Sequence, residues 1–182
     1  MAPKQRRLLG GGSAALHASG LGRAELNGSD TSVYVGMCSQ DWQLACAHLR
    51  VGPHTGTGCH GPSIAANRLS FVLGLRGASL VVDTACSSSL AALHICAAEL
   101  AARSCAAALV GAADLLVTPD ALALRRDAGM RAAGGRCKVF DAAADGYVRS
   151  VGVAVLHLQA RRAGAAAGGA PTRAATAGWH DW

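Results

Sequence analysis

A thiol stands between a short apolar run and a long Ala- and Leu-rich stretch in the segment Ser79-Leu80-Val81-Val82-Asp83-Thr84-Ala85-Cys86-Ser87-Ser88-Ser89-Leu90. Its thiolate form attacks carbonyl carbons, but a free Cys has a pKa of about 8.5, so little is ionised at neutral pH. Position can change that. The first turn of a helix presents unpaired N–H groups and partial positive charge, which favour a thiolate. The same N–H groups can hold an oxyanion on the carbonyl under attack. Leu80, Val81 and Val82 read as a buried strand. Leu90, Leu93, Ala97 and Leu100 have helical spacing. The small and polar residues between suit a tight turn and a helix cap. Cys86 therefore falls where a strand stops and a helix starts. Two readings stand on these residues alone: an acyl-accepting nucleophile, or a small buried hydrophobe, the usual fate of a free Cys.

Other chemistries find less support. The seven cysteines are Cys38, Cys46, Cys59, Cys86, Cys96, Cys105 and Cys137. No pair is spaced as C-x-x-C, so there is no zinc pattern. The count is odd and the chain is not of the short, Cys-dense secreted type, which fits free thiols in a reducing, cytoplasmic setting. Asp141 and Asp145 alone are a weak metal signal, and the Asp145-Gly146 pair already makes a turn. Gly56, Gly58 and Gly61 lie with Pro53 in a loop-like stretch from Gly52 to Pro62. They do not follow a strand as a dinucleotide fingerprint requires. The formal net charge is +6 and the pI ≈ 9.2, but the basic residues are scattered, which argues against nucleic acid. No apolar run approaches the ~18–20 residues of a membrane span. Met1 to Arg23 has four basic residues and no acid, so a plastid transit peptide stands as the competing address.

The elements that must position the thiol can be read in order. A chain of 182 residues, 51% hydrophobic and 15% charged, suits one domain with an ample core. Thr31–Gly36 predicts a strand, and Ser63–Phe71 a short helix capped by Ser63. Cys105–Ala113 predicts a buried strand in which Gly111 allows close backbone approach. Thr118, Pro119 and Asp120 open a further helix, with Thr118 as cap, and Asp127–Met130 close it. Val151–Leu158 alternates as a strand. Strand–helix–strand order predicts a parallel sheet with right-handed crossovers. Gly10-Gly11-Gly12 weakens any helix near the amino terminus. The domain is expected over 1–159, and the Ala/Gly/Arg-rich stretch 160–182 as a disordered tail.

Val82 through Leu90, followed by Ala92-Leu93-His94, resembles the active-site signature of β-ketoacyl synthases, nearest to the ketosynthase domain of type I polyketide synthases. Gly134 through Arg149 resembles that family's Asp-Gly-Arg-Cys-Lys-x-Phe-Asp-x-x-Ala-Asp-Gly-Tyr-Val-Arg segment. Met1 through Leu9 resembles its Met-Asp-Pro-Gln-Gln-Arg segment, with Ala2 and Lys4 departing. Ala66-Asn67-Arg68-Leu69-Ser70-Phe71 resembles Ala-Asn-Arg-Leu-Ser-Tyr. Where the family continues Gly-Glu-Gly, this chain has Ser150-Val151-Gly152 and loses an acid.

The resemblance implies an α/β, thiolase-like fold, a layered αβαβα architecture of which this sequence is the amino-terminal half. It implies that Cys86 takes an acyl chain as a thioester. The partner would be an acyl carrier protein whose phosphopantetheine arm bears acyl and malonyl-type groups. No cofactor or metal would be bound directly, and the family forms homodimers. Its two decarboxylation histidines lie in motifs beyond Leu158. None of His17, His48, His54, His60, His94, His157 and His180 sits in such a motif, and His94 is expected to be a helix-packing residue. Three functions follow: a ketosynthase fragment, a non-catalytic remnant acting as a binding or dimerisation module, or a thiolase-like acyltransferase that stops at acylation. The half-fold would leave apolar surface uncovered, so the isolated chain is expected to aggregate or dimerise.

Overall fold

The structure is a computed structural model that describes residues 1–38, 41–49, 61–160 and 175–179. Five strands form one sheet in the order β2-β1-β3-β4-β5. β1 (Thr31–Gly36), β2 (Ser79–Val82) and β3 (Ala107–Asp114) run parallel. β4 (Gly152–Gln159) is antiparallel to β3, and β5 (Ala175–Trp179) is antiparallel to β4. The expected all-parallel sheet is thus a mixed one. From β3 the chain runs through a short helix and a long irregular stretch, not a single crossover helix, so β4 re-enters in the opposite direction.

The helices cover both faces. α1 (Pro3–Ala18) and α4 (Ile64–Leu73) share one core with the sheet, in which Leu8, Leu16 and Leu69 meet Val33, Val35, Leu109 and Val155. α5 (Ser88–Ala101) covers the opposite face, where Ala92 and Cys96 pack with Tyr34, Ala108 and Val110. The period of two along β1 and β3 sorts these residues between the faces. Every residue of β1 is buried, as a central strand with both faces covered must be. Shorter helices α2 (Arg23–Leu26), α3 (Asp41–His48) and α6 (Asp120–Asp127) lie in the connections.

Several sequence expectations are corrected by tertiary fit. α1 runs unbroken through Gly10-Gly11-Gly12. A Cβ on Gly11 would meet Val155 Cγ2 at 2.9 Å, and one on Gly12 would meet Leu69 Cδ2 at 2.7 Å. These glycines are where α1 lies against β4 and α4, and close contact offsets their low helix propensity. Gly111 does allow the expected approach, since its Cβ would lie 2.9 Å from Leu8 Cδ2. β2 is an edge strand, not a buried one, and Leu80 is 47% exposed. α5 buries Ser88, Ala92 and Cys96, whereas Leu90 is 69% exposed and His94 faces solvent. Neither Ser63 nor Thr118 caps its helix with its side chain, and the Thr118 Oγ1 is buried without a hydrogen bond. Ala175–Trp179 add as β5 to the outer side of β4. Residues 161–174 and 180–182, like most of the Gly52–Pro62 loop reading, lie outside the described residues.

One buried group makes the fold sensitive to acid. His157 on β4 is wholly buried, and its Nδ1 pairs with Ser19 Oγ at 2.8 Å at the end of α1. Its Nε2 has no hydrogen-bond partner, and burial holds the imidazole pKa below 6.5. The folded protein therefore binds fewer protons than the unfolded chain in this range. The stability that neutral His157 contributes is full above the unfolded value near 6.5 and is lost as pH falls from there through the folded value. Urea unfolding is expected to show a lower midpoint at pH 5.5 than at pH 7.5. His157→Leu should flatten that difference, since Ser19 Oγ keeps its bond to the Ala15 carbonyl at 2.9 Å. An unchanged pH slope in the variant would place the acid sensitivity elsewhere.

Candidate active site

β1 leads to β2 on one side, and β2 leads through α5 to β3 on the other side of β1, so the strand order reverses around β1. In open α/β sheets a crevice forms at the carboxyl ends of such strands. Here it is a cleft of about 510 Å³ bounded by Gly36 at the end of β1 and Cys38 beyond it, Ala112–Asp114 of β3, and Ser150–Ala154. Cys86 lies on its wall and is exposed.

The sequence builds this placement locally. After β2 the chain turns through Asp83 and Thr84 into a single tight turn, Ala85–Ser87, and then into α5. Ala85 has φ +57°, a left-handed backbone that costs an L residue of order 1–2 kcal/mol. Side chains on either side hold it there. Asp83 Oδ1 accepts from the Ala85 N–H at 3.1 Å, and Ser88 Oγ donates to the Ala85 carbonyl at 2.7 Å. Ser88 Oγ also accepts from the Thr84 N–H at 2.9 Å, and Ser87 Oγ donates to the Thr84 carbonyl at 2.8 Å. The small polar run around Cys86 is thus a set of braces for a strained corner. It puts the thiol immediately before α5, where helix N–H groups point outward.

The corner also needs a glycine across from it. A Cβ on Gly36 would lie 2.6 Å from Ser88 C, Ser88 O and Ser89 N. The end of β1 therefore lets the backbone of α5 come down onto the sheet, and that contact sets the height of Cys86 in the cleft.

Three ionic residues meet at the far wall. Asp114, the last residue of β3, pairs with Lys4 Nζ at 3.6 Å and with Arg149 Nη2. The two cationic side chains are only 6% and 8% exposed, and Asp114 is 41% exposed. Burial lowers the Lys4 pKa, while Asp114, Asp41 and Cys38 oppose that shift. Burial likewise pushes the Cys38 thiol up. Sequence reasoning noted Lys4 as a departure from a family Gln and as one of the amino-terminal basic residues, not as a partner of Asp114. An acid closing an apolar strand, at Asp114, was the signal that could have exposed the cluster.

The remaining candidates are structural. Asn67 Oδ1 accepts from Ser79 Oγ at 2.9 Å, and Arg68 Nε donates to Gln5 Oε1 at 3.1 Å, so both brace neighbouring elements. Asp141 Oδ1 accepts from the Ala143 N–H at 2.8 Å within its own turn. Asp145 pairs with Lys138 at 2.8 Å, and that bond lowers its pKa. Among the described residues no group of three or more His, Cys, Asp and Glu is arranged to hold a metal ion, and no helix is long and apolar enough to cross a membrane.

Helices on both faces of a mixed sheet, with a cysteine raised on a strained strand-to-helix corner over a cleft, define a thiolase-like α/β fold. The chain belongs to the β-ketoacyl synthase family: residues 1–163 match the family described as "Beta-ketoacyl synthase, N-terminal domain". Its relatives are type I polyketide synthases. It is 44% identical over 168 residues to fumosorinone synthetase of Cordyceps fumosorosea, covering 89% of this chain and 4% of that protein. It is 42% identical over 163 residues to a phenolphthiocerol/phthiocerol polyketide synthase of Mycobacterium tuberculosis, covering 87% and 7%. A solved ketosynthase from module 6 of the bacillaene synthase of Bacillus subtilis 168 superimposes with TM-score 0.76 at 32% identity, over 86% of this chain and 26% of that one. The chain thus spans a small part of these curated relatives and about a quarter of a solved ketosynthase chain.

Proposed function

We propose that Cys86 is the acyl acceptor of a polyketide ketosynthase. The observation that carries this reading is an exposed thiol on a braced, left-handed corner at the start of α5, opening onto the strand-end cleft of a ketosynthase fold. In the proposed first step the Cys86 thiolate attacks the thioester carbonyl of an acyl group on the phosphopantetheine arm of an acyl carrier protein. A new S–C bond forms, the arm's thiolate leaves, and it takes up the proton released by Cys86. The backbone N–H of Cys86 itself would be the first donor to the oxyanion formed in between. In the second step a malonyl-type extender loses carbon dioxide, its enolate attacks the Cys86 thioester, and the sulfur leaves. That condensation is proposed for the whole enzyme, whose two family histidines are not matched by any histidine of this sequence. No cofactor is required on this chain, because the phosphopantetheine arm belongs to the partner.

Pairing of two copies is part of the same proposal. Among the described residues β2 is an edge strand, Leu80 on it is half-exposed, and Phe71 nearby on α4 is 88% exposed. The domain is proposed to span 1–159.

Incubation of the chain with an acetyl or hexanoyl thioester of N-acetylcysteamine is expected to add one acyl mass, mapped to Cys86 by peptide sequencing. Cys86→Ala should lose the adduct. Acylation confined to the other cysteines, or none at all, would leave a non-catalytic pairing module as the better reading.

A further inference from the structure

We propose that Cys38 and Cys86 form a peroxide-responsive dithiol site, in which Cys38 closes a reversible disulfide onto an oxidised Cys86 and shields it from irreversible oxidation. Among the described cysteines these two alone line the strand-end cleft, and both are exposed. Cys46, Cys96 and Cys105 are buried, and Cys137 is exposed outside the cleft, where its Sγ accepts from the Val148 N–H at 3.1 Å. The disulfide does not depend on Cys86 being the acyl acceptor. Its consequence, a reversible loss of acylation, rests on that reading.

The backbone brings the two thiols to one point. The parallel register of β1 and β2 runs through Gly36 with Val82, and the Met37 N–H donates to the Val82 carbonyl at 3.1 Å. The two chains therefore leave the sheet side by side. Beyond Val82 the chain turns through the corner and comes back, so that a Cβ on Gly36 would lie 2.6 Å from the Ser88 carbonyl group. Both ends of the segment that carries Cys86 are thus held against Gly36 and Met37. Cys38 is two residues beyond Gly36 and Cys86 two residues before Ser88, so each lies within about 7 Å of that contact. A disulfide needs Cα atoms about 4.4–6.8 Å apart, which this placement allows. Partial burial pushes the Cys38 thiol up, as do Asp114 and Asp83 beside it, so Cys38 stays protonated at neutral pH. Cys86, at the start of α5 where a thiolate is favoured, meets the peroxide first.

The oxidant is hydrogen peroxide or an organic hydroperoxide. The Cys86 sulfur attacks one peroxide oxygen, the O–O bond breaks, and the other oxygen leaves as hydroxide or alkoxide and takes up a proton. The sulfenic acid that results is attacked by Cys38: the S–S bond forms, the S–O bond breaks, and the hydroxyl departs with the Cys38 proton as water. Two electrons pass from the two sulfurs to the peroxide. A thiol reductant reverses the disulfide by exchange, whereas a lone thiol carried on to the sulfinic stage is not recovered that way. Transient pairs of this kind are the form disulfides take in a reducing compartment.

The test treats the chain with hydrogen peroxide, blocks the remaining thiols with iodoacetamide and maps tryptic peptides without reduction. Peptides 24–50 and 77–103 are expected to be joined, with the link assigned to Cys38 and Cys86 by fragmentation. In Cys38→Ser the link should vanish, and Cys86 should instead gain two or three oxygens. Acylation by an acetyl thioester of N-acetylcysteamine is then measured before peroxide and after peroxide followed by dithiothreitol. The fraction regained should be at least about fivefold higher in the wild type than in Cys38→Ser. Absence of the link in the wild type, a link from Cys86 to any other cysteine, or equal regain in the two proteins overturns the proposal. If Cys86 takes no acyl thioester, the acyl-acceptor reading fails separately. The dithiol site is then judged by iodoacetamide labelling of Cys86: labelling regained after dithiothreitol in the wild type and lost in Cys38→Ser supports it, and equal labelling in both overturns it.

Discussion

Gly36→Ala is expected to slow acylation of Cys86 on the order of a hundredfold although the thiol itself is chemically unaltered. The added methyl would sit 2.6 Å from three backbone atoms of Ser88 and Ser89. Backbone cannot rotate out of the way as a side-chain tip can, so the first turn of α5 must lift from β1. Ser88 travels with it, and Ser88 Oγ is the atom that ties the Thr84 N–H and the Ala85 carbonyl. Freed from those bonds, Ala85 has little reason to keep φ near +57°, and the corner that presents Cys86 relaxes. A displacement of about 1 Å at a reacting centre commonly costs about a hundredfold in rate. Overpacking should also cost roughly 1–3 kcal/mol of stability. Acyl-thioester kinetics beside urea melts would measure both, with Gly134→Ala as the comparison because its Cβ meets nothing within 4 Å. Acylation of Gly36→Ala at the wild-type rate would mean that this contact does not set the nucleophile's position.

The position of Cys86 at a strand-to-helix corner was legible because it is written locally. A β-branched run, a polar turn and a helix-forming stretch follow one another within sixteen residues of sequence, from Ser79 to His94. Which side of each element is buried was less legible, because that depends on partners distant in sequence. The Leu90–Leu93–Ala97–Leu100 stripe has the right helical period, yet α5 turns its smallest residues inward, since Gly36 invites backbone-close contact at Ser88. The glycine triplet of α1 misled for the same reason: propensity speaks for an isolated helix, and Val155 and Leu69 speak for this one. The cluster of Lys4, Asp114 and Arg149 has no period and no motif. Its members are joined only when α1, β3 and the approach to β4 meet, and the one local sign was an acid, Asp114, closing an apolar strand.

Asp114→Leu is expected to destabilise the chain by on the order of 3 kcal/mol, more than either cation's removal. Losing one partner of a buried ion pair strands the other, typically at about 3–5 kcal/mol. Here a single carboxylate serves two nearly buried cations, Lys4 and Arg149. The low end of the range applies because Asp114 is 41% exposed and water can reach its site. Lys4→Gln leaves Asp114 with Arg149 and removes an ammonium whose burial is unfavourable, so its stability should match or exceed the wild type near neutral pH. The pH slope separates the cases. Burial lowers the Lys4 pKa below its ordinary 10.5, so between the folded value and 10.5 the unfolded chain binds more protons than the folded one. Stability from this group therefore rises with pH as the ammonium loses its proton. Asp114 opposes that shift, so Asp114→Leu should steepen the alkaline rise and start it at lower pH, while Lys4→Gln should remove it. Urea unfolding between pH 7 and 10.5, with constant m-values, reads both effects. Equal losses from Asp114→Leu and Lys4→Gln, with parallel pH slopes, would show that the two side chains do not share their energy through this carboxylate.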